Sequence, residues 1–292
     1  TGGVTASHGA TEWLGADLNK QIGASRTGDV MVYVHGAKVN FYNACVFAAQ
    51  LDHFMGRDMT SIAFSWPTRQ SIFAYAFGED LQRAYDSAPA LVSLLELLAE
   101  RTQARRIHVL SWSAGGRVVA RAMELLRARH ADLSADEMQA RFRLGTVYYA
   151  AADLPVSDFI EALPAMDDAA ERVVVTAVAD DGALRSSQMF IGGGSRLGLL
   201  NPDLTEAQRQ IVLAADSLEY VDMSRGAAQR GFDIAGHRYW FDHPWASTDA
   251  LLSIRTDLEP RERGLEATEV PVIWWMPDDY PDRLREIGAR VR

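Results

Sequence analysis

Short apolar runs rich in β-branched residues alternate along the chain with longer stretches whose apolar positions recur every three to four residues. The short runs predict strands at Val30–Val34, Ser61–Ser65, Ile107–Leu110, Gly145–Ala150, Val173–Val178 and Leu218–Val221. The periodic stretches predict helices at about Tyr42–Phe54, Leu81–Arg101, Gly116–Arg129, Val156–Leu163 and Thr205–Ala215. Ser134 with Glu137, and Thr205 with Gln208, read as capping boxes, because each hydroxyl is followed three residues on by a side chain able to return the hydrogen bond. Strand and helix in alternation are the mark of βαβ units, so the pattern predicts an α/β fold with a mainly parallel central sheet and helices on both faces.

The pattern is least regular over Leu184–Pro202, which holds Gly192, Gly193 and Gly194 and predicts a surface loop within an irregular or helical insertion at 182–217. Its glycines have neither the Walker spacing with its lysine nor the spacing of a dinucleotide loop. Residues 1–28 read as an N-terminal extension. Residues 257–292 read as a tail in which Val270–Trp275 is extended and packs on the body before a short final helix. Without an internal repeat or a low-complexity linker, one domain over 1–292 is expected.

Composition adds three exclusions. Of 292 residues 48% are apolar and 23% charged, which allows a large core and excludes disorder. The net charge of −10 speaks against a nucleic-acid partner, which requires clustered lysine and arginine; the short run Arg101 to Arg106 reads as solvated helix ends. Cys45, the single cysteine, excludes an internal disulfide and a cysteine-rich metal site, and its apolar helical surroundings, Ala44 to Leu51, predict a buried structural thiol. No apolar run reaches the roughly 18 residues of a membrane span, so a soluble protein is expected. The first residue is Thr1 rather than Met, which leaves both a cytoplasmic and an exported location open.

Candidate chemistry centres on Ile107-His-Val-Leu-Ser-Trp-Ser113-Ala-Gly-Gly116, a strand that runs through a small-residue turn into a helix. That is the context of a nucleophile elbow, with Ser113 projecting from the C-terminal end of the strand. Gly115 meets the demand for a small residue after the serine; Ser111 stands where glycine is usual, so the motif is S-x-S-x-G. An oxyanion hole needs two backbone N–H groups. Val32-Tyr-Val-His35-Gly36-Ala37, directly after the first strand, places the N–H of Ala37 to face that of Ala114. The partners of such a serine follow it in the order acid, then histidine. His8, His35, His53 and His108 precede Ser113, and His130 ends a helix, where a cation suits the dipole. His237 and His243 remain. His237, in a loop beginning near Gly231, is the preferred base, and His243 beside Pro244 is assigned to shaping the pocket. The acid belongs after the strand Val173–Val178, at Asp180 or Asp181, with Asp153 at the end of the preceding strand as the geometric alternative. Trp66, Trp112, Tyr239, Trp240, Phe241 and Trp245 would favour an apolar substrate portion, and His35, structural rather than catalytic, joins them as a candidate pocket residue. No H-E-x-x-H or comparable spacing occurs, although Asp233, His237, Asp242 and His243 lie close in sequence, so neither a metal nor another cofactor is expected.

From about Asp29 to Ile254 the chain resembles a bacterial α/β-hydrolase family known as domain of unknown function 900. The resemblance rests on Val32-Tyr-Val-His-Gly36, Phe64-Ser-Trp-Pro67, Ser111-Trp-Ser-Ala-Gly115, Asp181-Gly-Ala-Leu184, Arg196-Leu-Gly198 and Gly236-His237 followed by an aromatic, in this order. It implies the α/β-hydrolase fold and, through Ala183-Leu184, makes Asp181 the counterpart of the family's acid. The chain departs from the family at Trp112 and Ala114, where His and Met are usual, and at Ala37-Lys38, where Tyr-Asn is usual. The expected function is cleavage of small-molecule or lipid-like carboxylic esters by a Ser-His-Asp triad through an acyl-enzyme. The alternative is a catalytically weak binding or receptor protein on the same fold.

Overall fold

The computed structural model describes residues 8–71, 75, 78–200, 204–224 and 237–290. In chain order the elements are α1 (His8–Ala24), β1 (Val30–Val34), α2 (Phe41–Phe54), β2 (Thr60–Phe64), α3 (Glu79–Arg101), β3 (Ile107–Trp112), α4 (Gly115–Arg129), α5 (Ala135–Phe142) and β4 (Leu144–Ala150). There follow α6 (Val156–Ala169), β5 (Ala170–Ala177), α7 (Gly182–Ile191), α8 (Glu206–Ala214), β6 (Leu218–Asp222), α9 (Tyr239–Asp242), α10 (Pro244–Arg255), β7 (Glu266–Ala267), β8 (Ile273–Trp275) and α11 (Tyr280–Arg290). No described helix is long and apolar enough to cross a membrane.

The strands form one sheet in the order β2-β1-β3-β4-β5-β6-β8-β7, parallel throughout except for the β7–β8 pair. The chain steps from β1 outward to β2 and then crosses to the other side of β1 to make β3. Loops leaving the C-terminal ends of β1 and β3 therefore diverge, and the crevice between them is where open α/β sheets bind ligands.

Because successive side chains point to opposite faces, the central strands feed two cores. Val30, Val32, Val34, Val109, Val147, Val173 and Val175 pack with α1, α3, α4 and α6 on one face. Met31, Tyr33, Leu110, Tyr148, Val174 and Val221 pack with α2, α9, α10 and the tail on the other. The tail is anchored there by Tyr280, which is fully buried, and by Arg263, whose guanidinium donates to Glu219 at 2.7 Å and Asp249 at 3.0 Å.

The capping boxes at Ser134 and Thr205 are both formed. Two expectations need correction, and the N-terminal extension proves to hold a helix. Residues 182–191 are helical, not loop, because one oxygen of Asp181 caps the N–H groups of Ala183 and Leu184. Gly192, Gly193 and Gly194 then take the left-handed φ values 75°, 84° and 78°, and the carbonyls of Gly192 and Gly194 close on the guanidinium of Arg196. Within the N-terminal extension lies α1, which buries Leu18 and Ile22 against the first core. Cys45 is only half-buried, since it sits on the side of α2 that borders an open cleft with Gln21 and Ser61.

Candidate active site

Ser113 sits between β3 and α4 with φ at 53°, a left-handed conformation that a non-glycine residue holds only when its surroundings fix it. Its own N–H donates to Ala150 O at 3.0 Å, and the N–H of Asp153 donates to Ser113 O at 3.0 Å, so the end of β4 clamps the turn from both sides. A Cβ at Gly115 would lie 2.5 Å from Val34 O and 2.7 Å from His35 O, which no side chain tolerates. Ser111 departs from the usual glycine without harm: it is buried, and its hydroxyl donates to Tyr148 O at 3.1 Å. Gly36 brings the β1 loop close over the elbow, where a Cβ would come within 3.0 Å of Ser113 Cβ.

Asp181 and His237, more than fifty residues apart in the chain, meet with Oδ2 2.7 Å from Nδ1. Asp181 is fully buried and its other oxygen, Oδ1, accepts from the amides of Ala183 and Leu184 at 3.0 Å each. Three N–H groups thus face the two oxygens of this carboxylate. With Nδ1–H committed to Asp181, Nε2 is left as the acceptor nitrogen of His237. Trp112 braces the histidine: its indole N–H donates to His237 O at 3.4 Å and the two rings lie 5.7 Å apart.

Ser113 and His237 line one cavity of about 390 Å³. Gly36, Ala37 and Trp112 also line it, as do Ala183, Leu184, Phe190 and Ile191 of α7. The amides of Ala37 and Ala114 donate to no acceptor among the described residues. Ala114 is also the residue before the first turn of α4, where the helix dipole favours negative charge.

Asp180 is exposed and pairs with Arg185 at 3.0 Å. Asp153 borders the cavity, but its carboxylate is consumed by Arg196 Nε at 2.6 Å, by Ser187 Oγ at 2.7 and 2.8 Å, and by the hydroxyl of Tyr75. Burial and the Asp153 charge hold the Tyr75 phenol well above its usual range, so it remains a donor. This cluster explains Arg196-Leu-Gly198: Arg196 ties Asp153 to α7, and a Cβ at Gly198 would lie 2.9 Å from the backbone of Ala151 and Ala152. Tyr75 and Ser187 had no motif to mark them, because their role comes from a carboxylate distant in sequence.

Several residues assigned to the pocket do not line it. His35 is buried behind the turn, donating from Nδ1 to Gly36 O at 2.8 Å, while its Nε2 accepts from Trp66 N at 3.1 Å. Burial lowers its pKa and keeps it neutral. Trp66 stacks on that imidazole and donates to His35 O at 2.7 Å, so both support the loop. Tyr239 and Trp240 are in the second core, where the Tyr239 hydroxyl donates to Thr176 O at 3.0 Å. His243 caps α10 through Trp245 N at 3.3 Å, and burial lowers its pKa. The acid and histidine group near residue 240 is dispersed: Asp242 pairs with Arg238, His237 with Asp181, and Asp233, like Gly231 and Gly236, lies outside the described residues.

No curated protein and no solved structure matches the chain. A family described as an alpha/beta hydrolase of unknown function, DUF900, matches residues 10–255. With a mostly parallel eight-stranded sheet covered by helices and a match over most of its length, the chain belongs to this α/β hydrolase family and has its fold.

Proposed function

We propose that the protein is a serine hydrolase that cleaves carboxylic esters, with Ser113 as nucleophile, His237 as general base and Asp181 as the orienting acid. The observation that carries this reading is the buried Asp181 carboxylate 2.7 Å from Nδ1 of a histidine that shares a cavity with an elbow serine. Nε2 of His237 takes the Ser113 proton as Oγ attacks the ester carbonyl, and the resulting imidazolium is stabilised by the Asp181 carboxylate. The amides of Ala37 and Ala114 hold the oxyanion. Collapse of the tetrahedral intermediate passes the proton from His237 to the leaving alkoxide and leaves Ser113 acylated; water, deprotonated by His237, then releases the acid. The apolar wall of Trp112, Leu184, Phe190 and Ile191 supports an apolar acyl or alcohol portion.

A series of p-nitrophenyl esters of increasing chain length tests this reading. Turnover should fall at least ~10³-fold in both Ser113→Ala and His237→Ala, because triad members act as a unit, while His243→Ala should retain most of it. Near wild-type turnover by folded Ser113→Ala would remove the proposal, and the reverse ranking of the two histidines would move the base.

A further inference from the structure

The chain holds 29 lysines and arginines, of which only Lys20 and Lys38 are lysines. Lys38 lines the cavity that holds Ser113. Its backbone is left-handed, with φ at 58°, and the buried Val39 that follows is held by the Thr68 hydroxyl on its carbonyl at 2.8 Å. The root of the side chain is therefore fixed one residue beyond Ala37, although the ammonium itself is free to swing. No carboxylate pairs with Lys38 among the described residues.

Of the other titratable side chains lining the cavity, Asp153 is engaged by Arg196, and His237 is the neutral base held by Asp181. Lys38 is thus the uncompensated charge at this cavity among the described residues. A second observation has the same sign. Behind Asp153 lies Arg117, 3% exposed and 3.6 Å from that carboxylate, with Nε and Nη2 reaching no hydrogen-bond acceptor. Two guanidinium groups therefore share Asp153, which lines the cavity, and their one charge in excess of it offsets the Asp181 carboxylate behind His237, so that Lys38 remains as the net charge of the site in a protein whose net charge is −10. Low-dielectric walls concentrate such a local field.

Resting on the ester-hydrolase reading above, we propose that the substrate is an anionic ester, with a negatively charged group within a lysine side chain's reach of the scissile carbonyl, and that Lys38 determines this specificity. The apolar wall of α7 takes the uncharged remainder. Lys38 meets the anion as a mobile, solvated point charge, so its contribution is that of a partly exposed ion pair: several-fold in KM, and weakened by salt.

Two matched pairs of esters test this and locate the anion. On the acyl side, the p-nitrophenyl half-ester of glutarate is compared with p-nitrophenyl pentanoate; on the alcohol side, 4-carboxyphenyl butyrate with its 4-carbamoylphenyl counterpart. In at least one pair the wild type should favour the anionic member by about fivefold or more in kcat/KM, carried by KM, and this ratio should shrink in 0.5 M salt. The ratio should fall toward one in Lys38→Met, persist in Lys38→Arg and drop below one in Lys38→Glu. A wild-type ratio of one or less in both pairs, or a wild-type ratio retained by Lys38→Met, would overturn the proposal. If the folded wild type turns over none of the four esters and a fluorophosphonate leaves Ser113 unlabelled, the hydrolase reading itself fails and takes this one with it.

Discussion

Asp181 uses its two oxygens for two purposes, one capping α7 and the other orienting His237. Replacement by the amide separates them. Asparagine still caps a helix, but an amide N–H facing Nδ1 favours the wrong imidazole tautomer, so Asp181→Asn should lower kcat by ~10⁴ with little change in stability. Asp181→Ala should lose the same rate and also about 1 kcal/mol of stability with the cap. Denaturant titrations beside turnover measurements check both, and an Asp181→Asn protein of normal activity would remove the acid from the account. The sequence leaves the acid open among Asp180, Asp181 and Asp153, and only the resemblance selects Asp181. The geometric reason, a carboxylate buried at a helix start rather than one exposed beside Arg185, appears only in three dimensions. Aromatic residues misled for a related cause. Tyr239 and Trp240 follow His237 and Trp66 stands in a marked segment, yet the Tyr239 hydroxyl and the Trp66 indole N–H are spent on backbone carbonyls, Trp240 is buried in the second core with its indole N–H unpartnered among the described residues, and a place beside a motif carries no information on which side of the backbone a ring lies.

At the scale of elements, α7 forms a wall of the cavity and is tied to the body through Asp153, which joins Ser187 of α7, Arg196, Tyr75 and, at longer range, Arg117 of α4. Removing the charge from this cluster leaves two buried guanidinium groups without a counter-ion. Asp153→Asn should therefore cost about 3–5 kcal/mol of stability, the size associated with breaking a buried pair, and should loosen α7. Chemical denaturation measures this cost, and a loss below about 1 kcal/mol would show that the cluster is not a tether. The strands from β1 to β6 and the helices α2, α3, α4, α6 and α8 were legible because their apolar periodicity is strong; the observed bounds differ from the expected ones mainly at the ends, as in β3, which runs on to Trp112 opposite Ala150. The helices not anticipated lack that signal. Gly9, Gly15 and Gly23 interrupt α1, while α7 is short and runs directly into three glycines that disguise its end. Pro244 at the first turn of α10 was a start signal, but it lay beside a histidine read for chemistry.

For the molecule as a whole, buried neutral histidines make stability depend on pH. His108 in β3 is buried, its Nδ1 accepts from Thr146 N at 3.0 Å, and burial lowers its pKa to about 4. Protonation would set a donor against that amide. Above about pH 6.5 both folded and unfolded chains carry the neutral ring and the group contributes no pH dependence; as pH falls from there toward 4 the unfolded chain binds the proton first, and stability is lost. Between pH 7 and pH 5 this single group should remove about 2 kcal/mol, and burial acts in the same direction on His35 and His243. Urea unfolding at the two pH values should show the loss, reduced in His108→Gln; equal stability at both would contradict it. The order of the sheet, by contrast, is a property of the whole chain that periodicity could not supply: helix and strand alternation announces a parallel sheet, but not that β1 stands between β2 and β3, and it is this crossing that brings the Gly36 loop onto Ser113. The central claim is that Ser113 is an activated nucleophile, and the most direct test is mass spectrometry of the intact, folded protein after a fluorophosphonate, followed by peptide mapping. One adduct is expected, on Ser113, abolished in Ser113→Ala and strongly slowed in His237→Ala; a folded wild-type protein left unmodified, or modified at another residue, would contradict that claim.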